Sequence, residues 1–317
     1  MKKDWMRQGS IAMGPAILSF LTSILLLSCF DTGQIAGTEW VPIESLPSDR
    51  FAPEVSATQF DSTNTTNTFR FATFNVQFAR SPDKIVATML AHPELSKIDV
   101  MSVQELTAYP DEGFSRAQTL AEGLSMNYVY VPWGSSKDVG TNGIGLFSKY
   151  PLLNIEVRAL ARRDSLKDTN YAIAADIVVN GKTIRVVTIH LGLRIGIGAR
   201  IRQMHPIVES VPEPVLLGGD FNTNSLMWNN GIPLNQGIPI VPSGTLGLDH
   251  ESKFDEYMEA YGYLAPTKHS GPTQHSFAGD FRLDSIFSKG VTVTNVGIAR
   301  ELGLSDHDPL WVDVVVE

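Results

Sequence analysis

Residues 215–222 read Val-Leu-Leu-Gly-Gly-Asp-Phe-Asn, an apolar run that closes with two polar side chains, Asp220 and Asn222. A short continuous apolar run is typical of a strand that is buried on both faces of a sheet. Burying a polar group without a partner costs roughly 2–7 kcal/mol. We therefore expect this strand to end at a hydrated rim of a sheet.

The same arrangement recurs in other runs that have the character of core strands until a polar residue ends or interrupts them. The polar residues are Asn75 after 71–74, Glu105 after 100–104, His190 after 186–189, Asp284 within 283–287, and Asp306-His307-Asp308 before the last strand. One such residue is usually a structural hydrogen-bonding group, but so many without partners would be costly. We expect them to converge on one hydrated cleft that holds a metal ion.

Periodicity and turn signals predict an α/β fold. Asn180-Gly181 between two β-rich runs predicts a type I′ hairpin. Helices are predicted from Ser81-Pro82, from Ser115, over 199–211 and over 252–261. Strands are predicted over 69–77, 100–104, 128–132, 143–148, 172–179, 183–189, 215–217, 283–287, 292–299 and 310–316. These elements favour two mixed, mostly antiparallel sheets packed face to face with helices outside.

The N-terminus has the pattern of an export signal. A basic region, 1–8, precedes an uncharged stretch, 11–28, that ends in Leu26-Leu27-Ser28-Cys29. This ending resembles the bacterial lipobox, which implies a signal peptide over 1–28, cleavage before Cys29 and lipidation of Cys29, the one cysteine of the chain. An uncleaved signal anchor and ordinary secretion are the alternatives.

Residues 29–68 are interpreted as a polar tether, because they contain scattered prolines and a polar run, 61–68, without a sustained apolar period. The alternative is a packed extension in which Trp40, Val41 and Ile43 dock on the domain. Either interpretation leaves one domain over 69–317.

The net charge of the 317-residue chain is −9. A net-acidic protein repels polyanions at long range, which argues against tight non-specific binding to long DNA as the default. A divalent cation in the site can reverse the local sign, so a nucleic-acid substrate stays open.

Seven short motifs follow one another along 69–317, and in this order they resemble the endonuclease/exonuclease/phosphatase superfamily. They are Thr73-Phe-Asn75, Val103-Gln-Glu105, Gly143-Ile-Gly-Leu-Phe-Ser148-Lys-Tyr-Pro151, Ile189-His190-Leu191, Gly219-Asp220-Phe-Asn222, Leu283-Asp284-Ser-Ile-Phe287 and Ser305-Asp306-His307. The resemblance implies a DNase I-like four-layer α/β sandwich. It also implies a metal-dependent phosphodiesterase.

The resemblance further implies a metal site. Glu105 would bind Mg²⁺, or Mn²⁺ as the alternative, with Asn75 and Asp306 adjacent. Oxygen donors of this kind suit Mg²⁺, which retains several of its waters. Some family members carry an acidic residue two positions after the first Asn, where this chain has Gln77.

The remaining motif residues have implied catalytic roles. His307, oriented by Asp284, would act as general base or stabilise the transition state, because a carboxylate fixes the tautomer of its histidine partner. Asp220 would position or deprotonate the attacking water. His190 and Asn222 would hydrogen-bond the phosphate. The division of base duty between Asp220 and His307 stays open at this point.

Three functions are compatible with these features. The first is a monomeric phosphodiesterase that acts on phospholipid headgroups or related phosphoesters, attached to a membrane of the bacterial cell envelope through its lipid anchor and facing the periplasm or exterior. The second is an extracellular or periplasmic nuclease. The third, of another class, is a non-catalytic lipoprotein that binds a phosphorylated ligand.

Replacing Cys29 by serine is expected to move the protein from the membrane to the soluble fraction. The acyl chains would contribute about 0.8 kcal/mol per buried CH₂, and the variant cannot carry them. Cell fractionation measures this, with Phe30→Ala as a control that keeps the cysteine. A Cys29→Ser protein that stays fully membrane-bound would replace the lipoprotein interpretation with an uncleaved anchor.

Overall fold

The structure is a computed structural model that describes residues 39–46, 52–61, 66–135, 140–161, 170–193, 195–223, 228–229, 232–233, 250–276 and 279–316. The predicted signal peptide, 1–28, and Cys29 lie outside the described residues and stay predictions. Within the described ranges, each helix is too short or too polar to cross a membrane.

The described chain forms strands and helices in a mixed order. In sequence the strands are β1 (Val41–Pro42), β2 (Glu54–Ser56), β3 (Thr68–Asn75), β4 (Val100–Ala108), β5 (Asn127–Ser135), β6 (Thr141–Ser148), β7 (Leu153–Ala159), β8 (Tyr171–Val179), β9 (Lys182–His190), β10 (Val215–Asp220), β11 (Trp228–Asn229), β12 (Ile232–Pro233), β13 (Gln274–Ser276), β14 (Gly279–Phe281), β15 (Asp284–Lys289), β16 (Thr292–Ile298) and β17 (Leu310–Val315). The α-helices are α1 (Pro82–Ala91), α2 (Arg116–Leu124), α3 (Ile197–Ser210) and α4 (His250–Ala260).

Two large mixed sheets dominate the fold. One has six strands in the order β1-β7-β8-β9-β10-β15, and the other has seven in the order β16-β17-β3-β4-β6-β5-β2. Neighbours are antiparallel except for one parallel pair in each sheet, β9–β10 and β3–β4. β11–β12 and β13–β14 form two separate short hairpins.

The apolar side chains sort into three cores. Phe71 and Val312 of the seven-stranded sheet pack with Val186 and Ile286 of the six-stranded sheet in the core between them. The outer face of the seven-stranded sheet packs on α1 and α2, and the outer face of the six-stranded sheet packs on α3 and α4. The layers are therefore helix, sheet, sheet, helix, which confirms the predicted four-layer α/β sandwich.

Local sequence accounts for several boundaries. Ser115 caps α2 by accepting a hydrogen bond from the backbone N–H of Gln118 at 3.1 Å. Asn180 and Gly181 have φ of 49° and 76°, as a type I′ turn between β8 and β9 requires. Each of the ten predicted strands has a counterpart in the structure. β7 was not predicted, although its sequence, Leu-Asn-Ile-Glu-Val-Arg-Ala over Leu153–Ala159, alternates apolar and polar residues as a half-buried strand does.

Part of the segment interpreted as a tether is packed. β1 pairs with β7, β2 pairs with β5, and Ile43 is buried in the core between the sheets. The tether interpretation is therefore wrong for residues 41–43 and 54–56, which are packed on the domain. Apolar burial of Ile43 and backbone pairing at two sheet edges outweigh the local polar composition.

Gly181→Ala is expected to destabilise the protein by about 1 kcal/mol, because an alanine side chain meets no atom there but is strained at a positive φ. Gly198→Ala is the matched control, since this exposed glycine of α3 has nearly open space and no positive φ. That control is expected to be neutral or stabilising. Thermal denaturation measures both, and equal melting temperatures for the two variants would contradict the prediction.

Candidate active site

The polar residues that follow the apolar runs meet at one edge of the sandwich. β3 ends at Asn75, β9 ends at His190 and β10 ends at Asp220. In the six-stranded sheet Asp220 is directly opposite His190 on one side and Asp284 on the other. The carboxyl ends of both parallel pairs therefore lie at the same rim, as the sequence pattern predicted.

His307 and Asp284 form a buried pair. The imidazole Nδ1 lies 2.7 Å from Asp284 Oδ2, and the side chain of Asp284 is fully buried. Ser305 Oγ accepts from the backbone N–H of His307 and donates to the carbonyl of Asn75 at 2.7 Å, so the loop before β17 is fixed to the end of β3. The histidine thus has one orientation, with Nδ1 on the carboxylate.

Asp220 lies at the centre of the cluster. Its Oδ2 accepts a hydrogen bond from Asn75 Nδ2 at 3.0 Å and lies 3.5 Å from His190 Nε2 and 3.9 Å from His307 Nε2. Its Oδ1 accepts from the backbone N–H of Asn222 at 2.9 Å. Each side of this buried carboxylate therefore faces a donor.

Glu105 is placed at the rim by an irregular backbone. The register of β4 against β6 shifts between Gln104 and Leu106, and Glu105 itself has φ of 58°. A bulge of this kind redirects a side chain that strand alternation would send to one face. Asn75 Nδ2 donates to Glu105 Oε1 at 3.1 Å, so the Asn75 amide bridges Glu105 and Asp220.

Burial and charge shift the pKa values of three groups. Burial and the Asp284 carboxylate raise the pKa of Asp220 to about 7. Burial opposes the charged form of His307, but the carboxylates of Asp284, Asp220 and Asp306 raise its pKa to about 10. Burial lowers the pKa of His190. At neutral pH His307 is therefore charged and His190 is neutral.

Two predicted site residues make contacts that the sequence did not indicate. Asn222 has φ of 51°, and its Nδ2 donates to the carbonyl of Leu191 at 2.9 Å, so this amide group closes the strand end. Asp306 Oδ1 lies 3.4 Å from the Oγ of its neighbour Ser305, and Asp306 stands at the loop position before His307. Within the described part of the chain, no hydrogen bond joins the Asp306 carboxylate to Glu105.

The donor set fits a hard divalent cation. Glu105 is partly exposed and offers a carboxylate whose orientation Asn75 fixes, which is the oxygen chemistry that Mg²⁺ prefers. Ligand atoms of Asp220, Asp284 and His307 also lie within 4.8 Å of one another. The 2.7 Å bond between Asp284 and His307 occupies that imidazole nitrogen, which leaves Glu105 as the more accessible carboxylate of the rim.

Two residues that support the cluster were not predicted. Thr273 Oγ1 accepts from the backbone N–H groups of Leu283 and Asp284 at 3.2 and 3.0 Å. Trp133 packs its ring edge-on to His190, with centroids 5.4 Å apart. Val129 and Val131 of β5 face the core between the sheets, and extending the predicted strand 128–132 by one residue would have placed Trp133 on the same face. Thr273 has no comparable signal, because its partners are backbone groups distant in sequence.

Comparison with known proteins identifies the family. The family model described as Endonuclease/Exonuclease/phosphatase family matches residues 72–307. Comparison with curated protein sequences gives no match.

Solved structures share the fold at low sequence identity. An endonuclease/exonuclease/phosphatase from Beutenbergia cavernae has 17% identity and a TM-score of 0.59, covering 78% of this chain and 72% of that one. One from Bacteroides vulgatus has 21% identity and a TM-score of 0.57, covering 79% and 99%. D. rerio TDP2, complexed with a single-strand DNA product, has 14% identity and a TM-score of 0.51, covering 78% and 98%. The chain therefore belongs to the endonuclease/exonuclease/phosphatase family and is a phosphoric ester hydrolase.

Proposed function

We propose that this protein is a divalent-metal-dependent phosphodiesterase that works at the rim described above. The observation that carries the proposal is the buried Asp284–His307 pair directed at Asp220, with the partly exposed Glu105 joined to the same Asp220 through Asn75. A metal-dependent phosphodiesterase needs a group that orients water, a group that stabilises the phosphoryl charge and a metal ligand. Asp220, His307 and Glu105 would supply these in turn.

Glu105 would hold the metal, with Asn75 and Asp306 adjacent. When bound, Mg²⁺ or Mn²⁺ would polarise the phosphoryl oxygens and offset the charge that develops on them. Asn75 accepts a hydrogen bond from the backbone N–H of Gln77 through its Oδ1, so in this arrangement its main task is to orient Glu105.

The proton chemistry would lie between Asp220 and His307. Asp220 Oδ2 and His307 Nε2 lie 3.9 Å apart, so one water or substrate oxygen placed beside the pair would contact both side chains. Asp220 would orient the attacking water, and the charged His307 would donate to the phosphoryl group. His190 Nε2, on the other side of Asp220, would contact the phosphate from the six-stranded sheet.

For the substrate, we propose a phospholipid headgroup or a related extracytoplasmic phosphodiester. The net charge of −9 and the lipobox-like end of the N-terminal apolar segment support this choice. A nuclease is the second candidate, and the DNA complex of the fold neighbour TDP2 favours it. Family membership argues against the non-catalytic alternative. We also propose that the protein acts as a monomer, anchored at Cys29 in the cell envelope.

The discriminating experiment is a hydrolysis screen of the full-length protein in detergent, with Mg²⁺, Mn²⁺ or EDTA. Substrates are glycerophospholipids, sphingomyelin, single- and double-stranded nucleic acids and bis-p-nitrophenyl phosphate. Full-length protein is preferable to a fragment starting at residue 69, which would lack β1 and β2. Turnover of lipid over nucleic acid supports the first candidate, and the reverse supports the second.

Glu105→Gln is expected to lower the rate at least about 100-fold and to raise the Mg²⁺ concentration needed for half-maximal rate. The variant keeps the shape of the side chain but removes a ligand charge worth several kcal/mol at the transition state. Glu122→Gln, on the exposed face of α2, is the control and should leave both quantities unchanged. Equal rates in EDTA and Mg²⁺ would rule out the metal mechanism.

Asp284→Asn and His307→Ala are each expected to lower the rate by about 10²–10⁴-fold, and the double variant should lose little more. The reason is that Asp284 acts through His307, so the two residues work as one unit. His205→Ala, whose imidazole contacts Tyr257 and Tyr261 instead, is the control and should retain activity. Fully additive losses in the double variant would contradict the pairing.

A further inference from the structure

The turn after Asn75 is a strained segment beside the site. Gln77, Phe78 and Ala79 have φ of 44°, 70° and 46°, the longest run of positive φ among the described residues. A bulky side chain such as that of Phe78 rarely adopts this conformation. Strain of this kind persists only where surrounding contacts enforce it, and it concentrates at functional sites. The contacts that enforce it here can be identified.

The carbonyl oxygen of Phe78 accepts two side-chain hydrogen bonds. Thr107 Oγ1, on β4, donates to it at 2.8 Å, and Arg116 Nη1, at the start of α2, donates at 2.7 Å. Glu112 accepts from the same guanidinium at 2.6 Å, and the Tyr109 ring centroid lies 4.8 Å from its central carbon. The Glu112 carboxylate and the Tyr109 ring therefore set the direction of the guanidinium toward Phe78.

The strained turn also fixes the orientation of the Asn75 side-chain amide. The backbone N–H of Gln77 donates to Asn75 Oδ1 at 3.1 Å. With its oxygen held there, the amide directs Nδ2 to Glu105 Oε1 at 3.1 Å and to Asp220 Oδ2 at 3.0 Å. If the turn relaxed, the Gln77 N–H would move away and the amide would lose the bond that holds its oxygen.

We propose that Arg116 and Thr107 are positioning residues for the metal-binding carboxylate. Their effect passes from the Phe78 carbonyl through the left-handed turn to the Asn75 amide and then to Glu105. Neither residue belongs to the seven family motifs. The inference rests on the proposed function, since it takes Glu105 to hold the metal. Outer groups that orient a metal ligand typically contribute about 10–100-fold to metal affinity or activity.

The test measures Mn²⁺ binding by calorimetry on the full-length protein in detergent, together with the Mg²⁺ concentration for half-maximal hydrolysis of bis-p-nitrophenyl phosphate. Arg116→Gln is expected to weaken Mn²⁺ binding by up to about 10-fold, the lower end of the range for groups in direct contact with a metal ligand. Arg116→Lys should restore part of the loss, because an ammonium can still donate to the Phe78 carbonyl. Thr107→Val should weaken binding in the same direction, and it decides the test if Arg116→Gln does not fold.

Arg70→Gln is the matched control. Arg70 is also held by carboxylates, Asp313 at 2.7 Å and Glu94 at 2.7 Å, and lies over the Trp311 ring at 3.6 Å, but it stands near the start of β3, far along the strand from Asn75. This variant should lose thermal stability and keep its Mn²⁺ affinity. Equal weakening in Arg70→Gln and Arg116→Gln would mean general destabilisation and would overturn the proposal.

The remaining outcomes separate this inference from the proposed function. If the wild-type protein binds Mn²⁺ and hydrolyses the ester, while folded Arg116→Gln and Thr107→Val bind Mn²⁺ as tightly as it does, the positioning role alone is overturned. If the wild-type protein binds neither Mn²⁺ nor Mg²⁺, the metal mechanism fails, and the positioning role fails with it.

Discussion

The buried carboxylate of Asp220 places the strongest constraint on this structure. It is 2% exposed at the end of β10, where an unpaired charge would be very unfavourable. Its donors come from both sheets, because Asn75 belongs to β3 while His190 and Asn222 stand at or after the ends of β9 and β10. Both sheets must therefore bring their strand ends to the same rim. The rise in the pKa of Asp220 to about 7 has the same origin in burial and in the nearby Asp284 carboxylate.

The topology satisfies this constraint with two parallel pairs inside otherwise antiparallel sheets. β3–β4 delivers Asn75 and Glu105, and β9–β10 delivers His190 and Asp220. β15 runs antiparallel to β10, so its first residue, Asp284, lies opposite the last residue of β10. Asp284, which orients His307, is thus the first residue of its strand, whereas Asp220, at the centre of the cluster, is the last residue of its strand.

Contacts outside the motifs hold the cluster rigid. Thr273 accepts two backbone N–H groups at the start of β15 and, through its carbonyl, the N–H of Asp308 at 2.7 Å. One residue therefore ties together the segments that carry Asp284 and His307. The left-handed turn at 77–79 has the same function on the side of Glu105. Strain there is tolerated because donors on β4 and α2 hold the turn. A preorganised site loses less conformational entropy when it binds its ligands.

The sequence by itself determined the four-layer class, the ten principal strands and the set of polar residues at the rim. It could do so because buried strands have continuous apolar runs, and a polar residue that ends such a run is visible without a structure. The Asn180-Gly181 turn was predictable from local sequence as well, since its backbone conformation depends on those two residues.

Only the tertiary structure decided which of these residues touch and what holds them. The bridge from Glu105 through Asn75 to Asp220, the bulge at Glu105 and the roles of Thr273 and Arg116 depend on groups brought together from distant segments. The sequence left the packing of residues 41–43 as an alternative and did not predict the pairing of 54–56, because this pairing depends on the edges of β7 and β5 and not on local composition. Local sequence sets local preferences, whereas contacts between distant segments are set by the register and packing of whole sheets.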